Sequence, residues 1–245
     1  MQVLYTKGMT NEIIAALKRE GEPLSNVENM RKFFKVQPGG YGEGDDFLGI
    51  TVPALRRVAK QYKDLSLEQI EVLLGNPYHE VRLLAAVILA NRCRRASEEV
   101  HRTIFDFYLA HATQMNGWDI VDSSCRDVVG EYILKHPEQV VVLDRLAVSD
   151  NLWERRIAIV STWALIRAGK VDDTYRIGEV LLHDKQDLIH KAVGWMLRET
   201  GKRDREQLRA FVLAHAHHMP RTALRYAIEH FSPEERAAFL AIKRT

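Results

Sequence analysis

Apolar residues in this 245-residue chain recur at spacings of three and four over most of its length, and nowhere do they alternate in the manner of a strand. Five stretches, residues 78–90, 118–133, 152–165, 188–199 and 219–231, read as variations on one helix, with starts 40, 34, 36 and 31 residues apart. Each has an amphipathic neighbour, at residues 65–74, 97–111, 138–148, 172–183 and 203–215. Two helices per unit at a period of about 30–40 residues is the signature of HEAT-like α-solenoids, in which each unit buries its apolar face against the next. The expected fold is therefore all-α, a curved solenoid of HEAT-like helical repeats with a concave binding face, in one domain over residues 1–245. The punctuation agrees. Pro137, Pro220 and Pro233 fall at helix starts, Gly169 and Gly201 each follow a basic helix end, and Thr51 reads as an N-cap before Val52-Pro53.

Composition excludes several classes. With 46% hydrophobic and 28% charged residues, the chain has enough apolar surface for a full core without covalent staples. Cys93 and Cys125 form no CxxC pair, which excludes a disulfide scaffold and a cysteine zinc ribbon. No apolar run approaches the roughly 18–20 residues that span a bilayer, and Met1–Lys7 lacks the apolar core of a signal peptide, so a cytoplasmic protein away from membranes is expected. Net charge is only +2, so an anionic partner has to be held by local clusters of charge. The run His215-Ala216-His217-His218 divides its imidazoles between helix faces and has no carboxylate to complete a metal set, so no metal and no cofactor are expected. The glycine-rich run Gly39-Gly40-Tyr41-Gly42-Glu43-Gly44 lacks the Gly-Lys-Ser/Thr of a P-loop and follows no strand, which leaves it without an assigned role.

Two patterns carry chemistry. Basic residues recur at similar places in successive repeats: Arg92, Arg94 and Arg95; Arg155 and Arg156; Lys191 and Arg198; Arg221 and Arg225. Repetition in register suits a track for a nucleic-acid backbone, although each alone is also an ordinary ion-paired surface residue. The second pattern concerns the four tryptophans, Trp118, Trp153, Trp163 and Trp195. Such residues are usually core, but Trp118 follows Asn116-Gly117 at a helix start, and Asp122 lies one turn later on the same face. A π-face beside an anion suits a cation, or a sugar that becomes cationic as it reacts. A structural salt bridge is the alternative for Asp122, while Asp119 is expected to serve the helix N-terminus.

Several stretches together resemble the AlkD-type DNA alkylation repair family. They are the glycine-rich run continuing through Phe47-Leu48-Gly49-Ile50-Thr51-Val52-Pro53, then Ser149-Asp150-Asn151-Leu152-Trp153-Glu154-Arg155-Arg156, His190-Lys191-Ala192-Val193-Gly194-Trp195-Met196-Leu197-Arg198-Glu199 and Met219-Pro220-Arg221-Thr222. The resemblance runs from about residue 25 to the C-terminus. It implies HEAT-like repeats wrapped on duplex DNA and, in catalytic members, glycosylases that remove cationic N3- and N7-alkylated purines. Residue by residue, it implies that Asp122 is the catalytic carboxylate, that Trp118 and Trp195 are the cleft tryptophans, and that Arg156 contacts DNA beside the lesion. Lys191, Arg198, Arg221, Thr51 and Arg57 are counted with Arg156 as DNA-binding. The function expected is a monofunctional, monomeric glycosylase that hydrolyses the N-glycosidic bond in alkylated double-stranded DNA without a base-flipping pocket. The alternative is a non-catalytic HEAT-repeat protein that binds unusual or damaged DNA.

Overall fold

In the computed structural model, which describes residues 2–20 and 25–243, most of the described residues lie in helices joined by short turns, apart from the irregular segment 34–51. Among the described residues there is no strand, only one isolated bridge between Asp46 and Tyr78, and no helix is long and apolar enough to cross a membrane. The all-α reading holds. The chain divides into two units, Met1–Ser124 and Cys125–Thr245.

The first unit carries α1 (Gln2–Arg19), α2 (Ser25–Phe33), α3 (Val52–Gln61), α4 (Leu67–Leu74), α5 (His79–Cys93), α6 (Glu98–Ala110) and the start of α7 (Trp118–Cys125). Its centre is α5, which buries residues on every side and packs against α3, α4 and α6. The middle of α5, residues 83–90, is an unbroken apolar run, and a helix apolar on every side belongs inside. Helix α4 starts with a capping box, in which the Ser66 hydroxyl accepts from the Gln69 amide while the Gln69 side chain accepts from the Ser66 amide. Thr51 does occupy the N-cap of α3, in extended backbone with proline following, but its side chain makes no capping bond.

The second unit begins with five residues of π-helix, Arg126–Gly130, then α8 (Glu131–Lys135), α9 (Val141–Ala147), α10 (Leu152–Arg167), α11 (Asp172–Leu181), α12 (Asp187–Gly201), α13 (Arg205–His215), α14 (Arg221–Ala227) and α15 (Pro233–Ala241). Helix α10 is the buried member here, packed against α9, α11, α12 and the π-helical turn. Its N-terminus is capped by the Asn151 side chain, which accepts from the amides of Trp153 and Glu154. It ends as its sequence suggests: Gly169 takes φ +81°, and the Gly169 and Lys170 amides donate to the Ile166 and Leu165 carbonyls.

Glycine serves packing elsewhere. Gly201 does not follow α12 but is its last residue, and a Cβ there would meet Leu208 Cδ2 at 2.4 Å. At Gly194 a Cβ would lie 2.5 Å from both the Ala223 carbonyl oxygen and Tyr226 Cβ, so α12 and α14 cross in van der Waals contact only because glycine is there. Gly194→Ala should therefore destabilise the protein by about 1–3 kcal/mol, the usual cost of overpacking. Gly178→Ala in α11, whose added Cβ would meet only Leu197 and Val193 at 3.8 Å, should be neutral or stabilising by up to about 1 kcal/mol. Urea unfolding of both variants checks the contrast, which equal midpoints would refute.

Candidate active site

Helix α7 presents two faces. Ile120, Val121, Ser124 and Cys125 are buried, and the Ser124 hydroxyl donates to the Ile120 carbonyl and bonds Tyr108 Oη at 2.8 Å. Trp118 and Asp122, one turn apart on another face, are both half-exposed. The structure thus keeps this pair on one partly open face, held from behind by a fully packed side.

The Trp118 indole rests on an aromatic group. Phe34 stacks on it with centroids 5.6 Å apart and planes 16° apart, and Phe33 meets it edge-on at 5.7 Å. Phe34 is buried while Phe33 is 63% exposed, so the aromatic surface beside Trp118 continues outward. Neither phenylalanine stands out in the sequence, where both sit in an ordinary basic helix end.

Asp119 stands in the first turn of α7, as expected of a carboxylate that serves the helix N-terminus, and also has a side-chain partner. Its carboxylate takes His79 Nε2 at 2.9 Å, while His79 Nδ1 meets Asp45 at 3.1 Å. Arg82 donates to the other Asp45 oxygen at 2.6 Å. His79 is 1% exposed and packs against the rings of Phe34 and Phe47, at 4.5 and 5.0 Å, which also touch each other at 5.2 Å. Burial pushes this imidazole down, but the hydrogen bonds to Asp119 and Asp45, with the Asp119 charge, outweigh burial and Arg82 and raise its pKa to about 9. Gly117 is required beside it, because a Cβ there would come within 2.8 Å of His79 Cε1.

The glycine-rich loop acquires a structural role from the same place. Glu80, fully buried, accepts the amides of Leu48, Gly49 and Ile50 at 2.8–3.1 Å. The His79 amide donates to the Asp46 carbonyl at 2.8 Å. At Gly42 a Cβ would sit 2.4 Å from the Phe34 carbonyl oxygen, so the loop closes onto the end of α2 only with glycine there. Two consecutive residues of α5, His79 and Glu80, anchor what had no assignment.

In the second unit, Lys191, Trp195 and Arg198 share one face of α12, all half-exposed. Trp195 touches Trp163 edge-on at 5.3 Å, and the Arg126 guanidinium, gripped by Asp127 at 2.6 Å, lies 5.2 Å from the Trp163 ring. Lys191 pairs with Asp187 at 2.8 Å and Arg198 pairs with Glu229; each cation holds its carboxyl below the usual range. Arg156 is 5% exposed and donates to the Leu188 carbonyl at 2.7 Å, so its guanidinium secures the start of α12. Arg221 is half-exposed at the start of α14. In the first unit, Arg57 is exposed and paired with Glu20 at 2.7 Å, and Thr51 is half-exposed. The histidines also come together more than their spacing suggests: α13 ends at His215, and in the following turn His217 Nε2 meets His218 Nδ1 at 3.0 Å, with His183 stacked on His218. Among the described residues, however, no three His, Cys, Asp or Glu side chains are placed to hold a metal ion.

Comparison with known proteins decides the family. A family model described as DNA alkylation repair enzyme matches residues 13–231. The chain belongs to the DNA alkylation repair enzyme family. Among solved structures it is similar to one described as a predicted DNA alkylation repair enzyme from Enterococcus faecalis, at 19% identity and a TM-score of 0.68, over 87% of this chain and 98% of that one. At that identity the likeness speaks for the fold. No curated protein matches. Family membership makes DNA alkylation repair the role and DNA the partner that the two half-exposed tryptophan faces have to be read against.

The buried histidine has a consequence for stability. Its folded pKa lies above the free value of about 6.5, so its contribution is fully present below that value and is lost as pH rises through about 9. A shift of this size corresponds to about 3 kcal/mol between pH 6 and pH 10. Urea unfolding across that range should show the loss in wild type and not in His79→Gln; parallel pH profiles would refute the assignment.

Proposed function

We propose that this chain is a DNA glycosylase that hydrolyses the N-glycosidic bond of cationic N3- and N7-alkylated purines in duplex DNA. The observation that carries the reading is the Trp118–Asp122 pair, one turn apart and half-exposed on a helix whose other side is locked in the core. An alkylated purine that already bears positive charge departs without a general acid. What the reaction does need is stabilisation of the oxocarbenium character that builds on the deoxyribose. The Asp122 carboxylate supplies the opposite charge and orients or deprotonates the attacking water. The Trp118 face adds cation–π attraction; a part for Trp195 is what the family resemblance implies. No pocket for the base is needed, which suits a site made of an open helix face.

Lys191 and Arg198 flank Trp195 on α12 and are the phosphate contacts of this reading. Their present ion pairs do not oppose it. An exposed pair contributes under about 1 kcal/mol, so a phosphate replaces the carboxylate at little cost. Arg156, buried against Leu188, acts chiefly by holding α12 in place.

Asp122→Asn keeps the shape and removes the charge, so single-turnover excision of 7-methylguanine should fall by roughly 10²-fold or more while duplex affinity holds or tightens. Excision at the wild-type rate would end the reading. Uracil and hypoxanthine, as neutral leaving groups, should not be released; efficient release of either would require an acid that the site does not offer. Replacing Lys191 and Arg198 together by alanine should flatten the log–log salt dependence of duplex binding by nearly two units, measured by fluorescence anisotropy, and an unchanged slope would take these residues off the interface.

A further inference from the structure

We infer that His79, with its proton, is a positioning residue for this site, the pin that ties the glycine-rich loop to the first turn of α7 and fixes the face of Trp118. The inference rests on the proposed role of Trp118 and Asp122.

The geometry gives His79 no other task. It is 1% exposed, so it meets neither DNA nor solvent, yet both ring nitrogens are used, Nδ1 toward Asp45 at 3.1 Å and Nε2 toward Asp119 at 2.9 Å. A neutral imidazole has one N–H and could donate to only one carboxylate, leaving a lone pair facing the other. Only the imidazolium satisfies both. The charges facing the ring are Asp45 from the loop, Asp119 from α7 and Arg82 from its own helix; with His79 charged they sum to zero, and without its proton a buried negative charge remains. The aromatic surroundings agree, since Phe47 stacks on the ring at 5.0 Å with Phe34 tilted against it at 4.5 Å, and an aromatic face favours a cation.

Two routes lead from this proton to the indole. One runs along the chain, because Asp119 is the residue after Trp118, and fixing its carboxylate fixes the first turn of α7. The other runs through Phe34, whose ring contacts both His79 at 4.5 Å and Trp118 at 5.6 Å. Loss of the proton releases Asp119 or Asp45 and loosens the stack on which Trp118 rests. The loop itself stays anchored, since Arg82 still holds Asp45 at 2.6 Å and Glu80 continues to hold Leu48, Gly49 and Ile50.

The test follows two signals in the full-length protein. Without DNA, the His79 ring and the Trp118 indole N–H are titrated by NMR from pH 6 to pH 10.5. With DNA, single-turnover excision of 7-methylguanine and duplex affinity are measured for wild type, His79→Gln and Asp119→Asn at pH 7. The inference expects His79 to titrate near pH 9 with the Trp118 resonance moving at the same midpoint. It also expects both variants to excise at least 10-fold more slowly with duplex affinity within 2-fold of wild type. A His79 midpoint below 7, or a Trp118 resonance that ignores it, overturns the inference. So does a folded His79→Gln variant with the wild-type excision rate. The wild-type titration needs no substitution, so a variant that fails to fold does not blunt it. If wild type releases no base while Trp118 still tracks His79, the glycosylase reading fails and the positioning role stands.

Discussion

A buried imidazolium between two carboxylates holds the first unit together where it matters. Asp45 and Asp119 come from segments 74 residues apart, and each is attached to opposite nitrogens of His79. Neither carboxylate is easily buried alone, because an unpaired interior charge costs several kcal/mol. The loop and the first turn of α7 are therefore tied by the same proton, and the aromatic stack of Phe47, His79, Phe34 and Trp118 forms around it. Glu80 completes the arrangement by taking three amides of the loop that no helix or strand satisfies.

The chemistry proposed for the site asks little of the protein in the way of acid catalysis and much in the way of placement. A leaving group that is already a cation removes the need for a proton donor, so one carboxylate and aromatic surface suffice. Their effect depends on being held still. The buried side of α7, with Tyr108 bonded to Ser124, and the stack behind Trp118 serve that end. In the second unit Trp195 is braced by Trp163, which in turn carries the Arg126 guanidinium, and Arg156 secures the start of the helix that bears Trp195.

The helices were legible because periodicity at three and four reports the burial of one face, as in α3 and α11, while α5 and α10, buried on nearly every side, read as long apolar runs. So were the Trp118–Asp122 face and the end of α10 at Gly169, which depend on local spacing and one left-handed residue. Contacts between distant segments were not. Nothing local marks His79 as the partner of Asp45 and Asp119, or gives the glycine-rich loop an anchor in Glu80. The exposure of Phe33 depends equally on tertiary packing. Arg156 and Arg155 look alike in the chain, yet one is buried against Leu188 and the other pairs with Asp184 at 2.5 Å. The π-helical turn at Arg126–Gly130 was also hidden, since its residues continue the helical pattern around it; Gly130, where a Cβ would meet the Ser161 carbonyl oxygen at 2.3 Å, is the one residue there that signals close packing.

Family membership places the chain in DNA alkylation repair, and the proposal that it cleaves the glycosidic bond itself is open to one direct measurement. Duplex DNA carrying radiolabelled methyl groups is incubated with the purified protein in the presence of a chelator, and the soluble products are separated by chromatography. The account predicts free 7-methylguanine and 3-methyladenine, with abasic sites left in the strand. Tight binding to the same DNA with no free base released would contradict it.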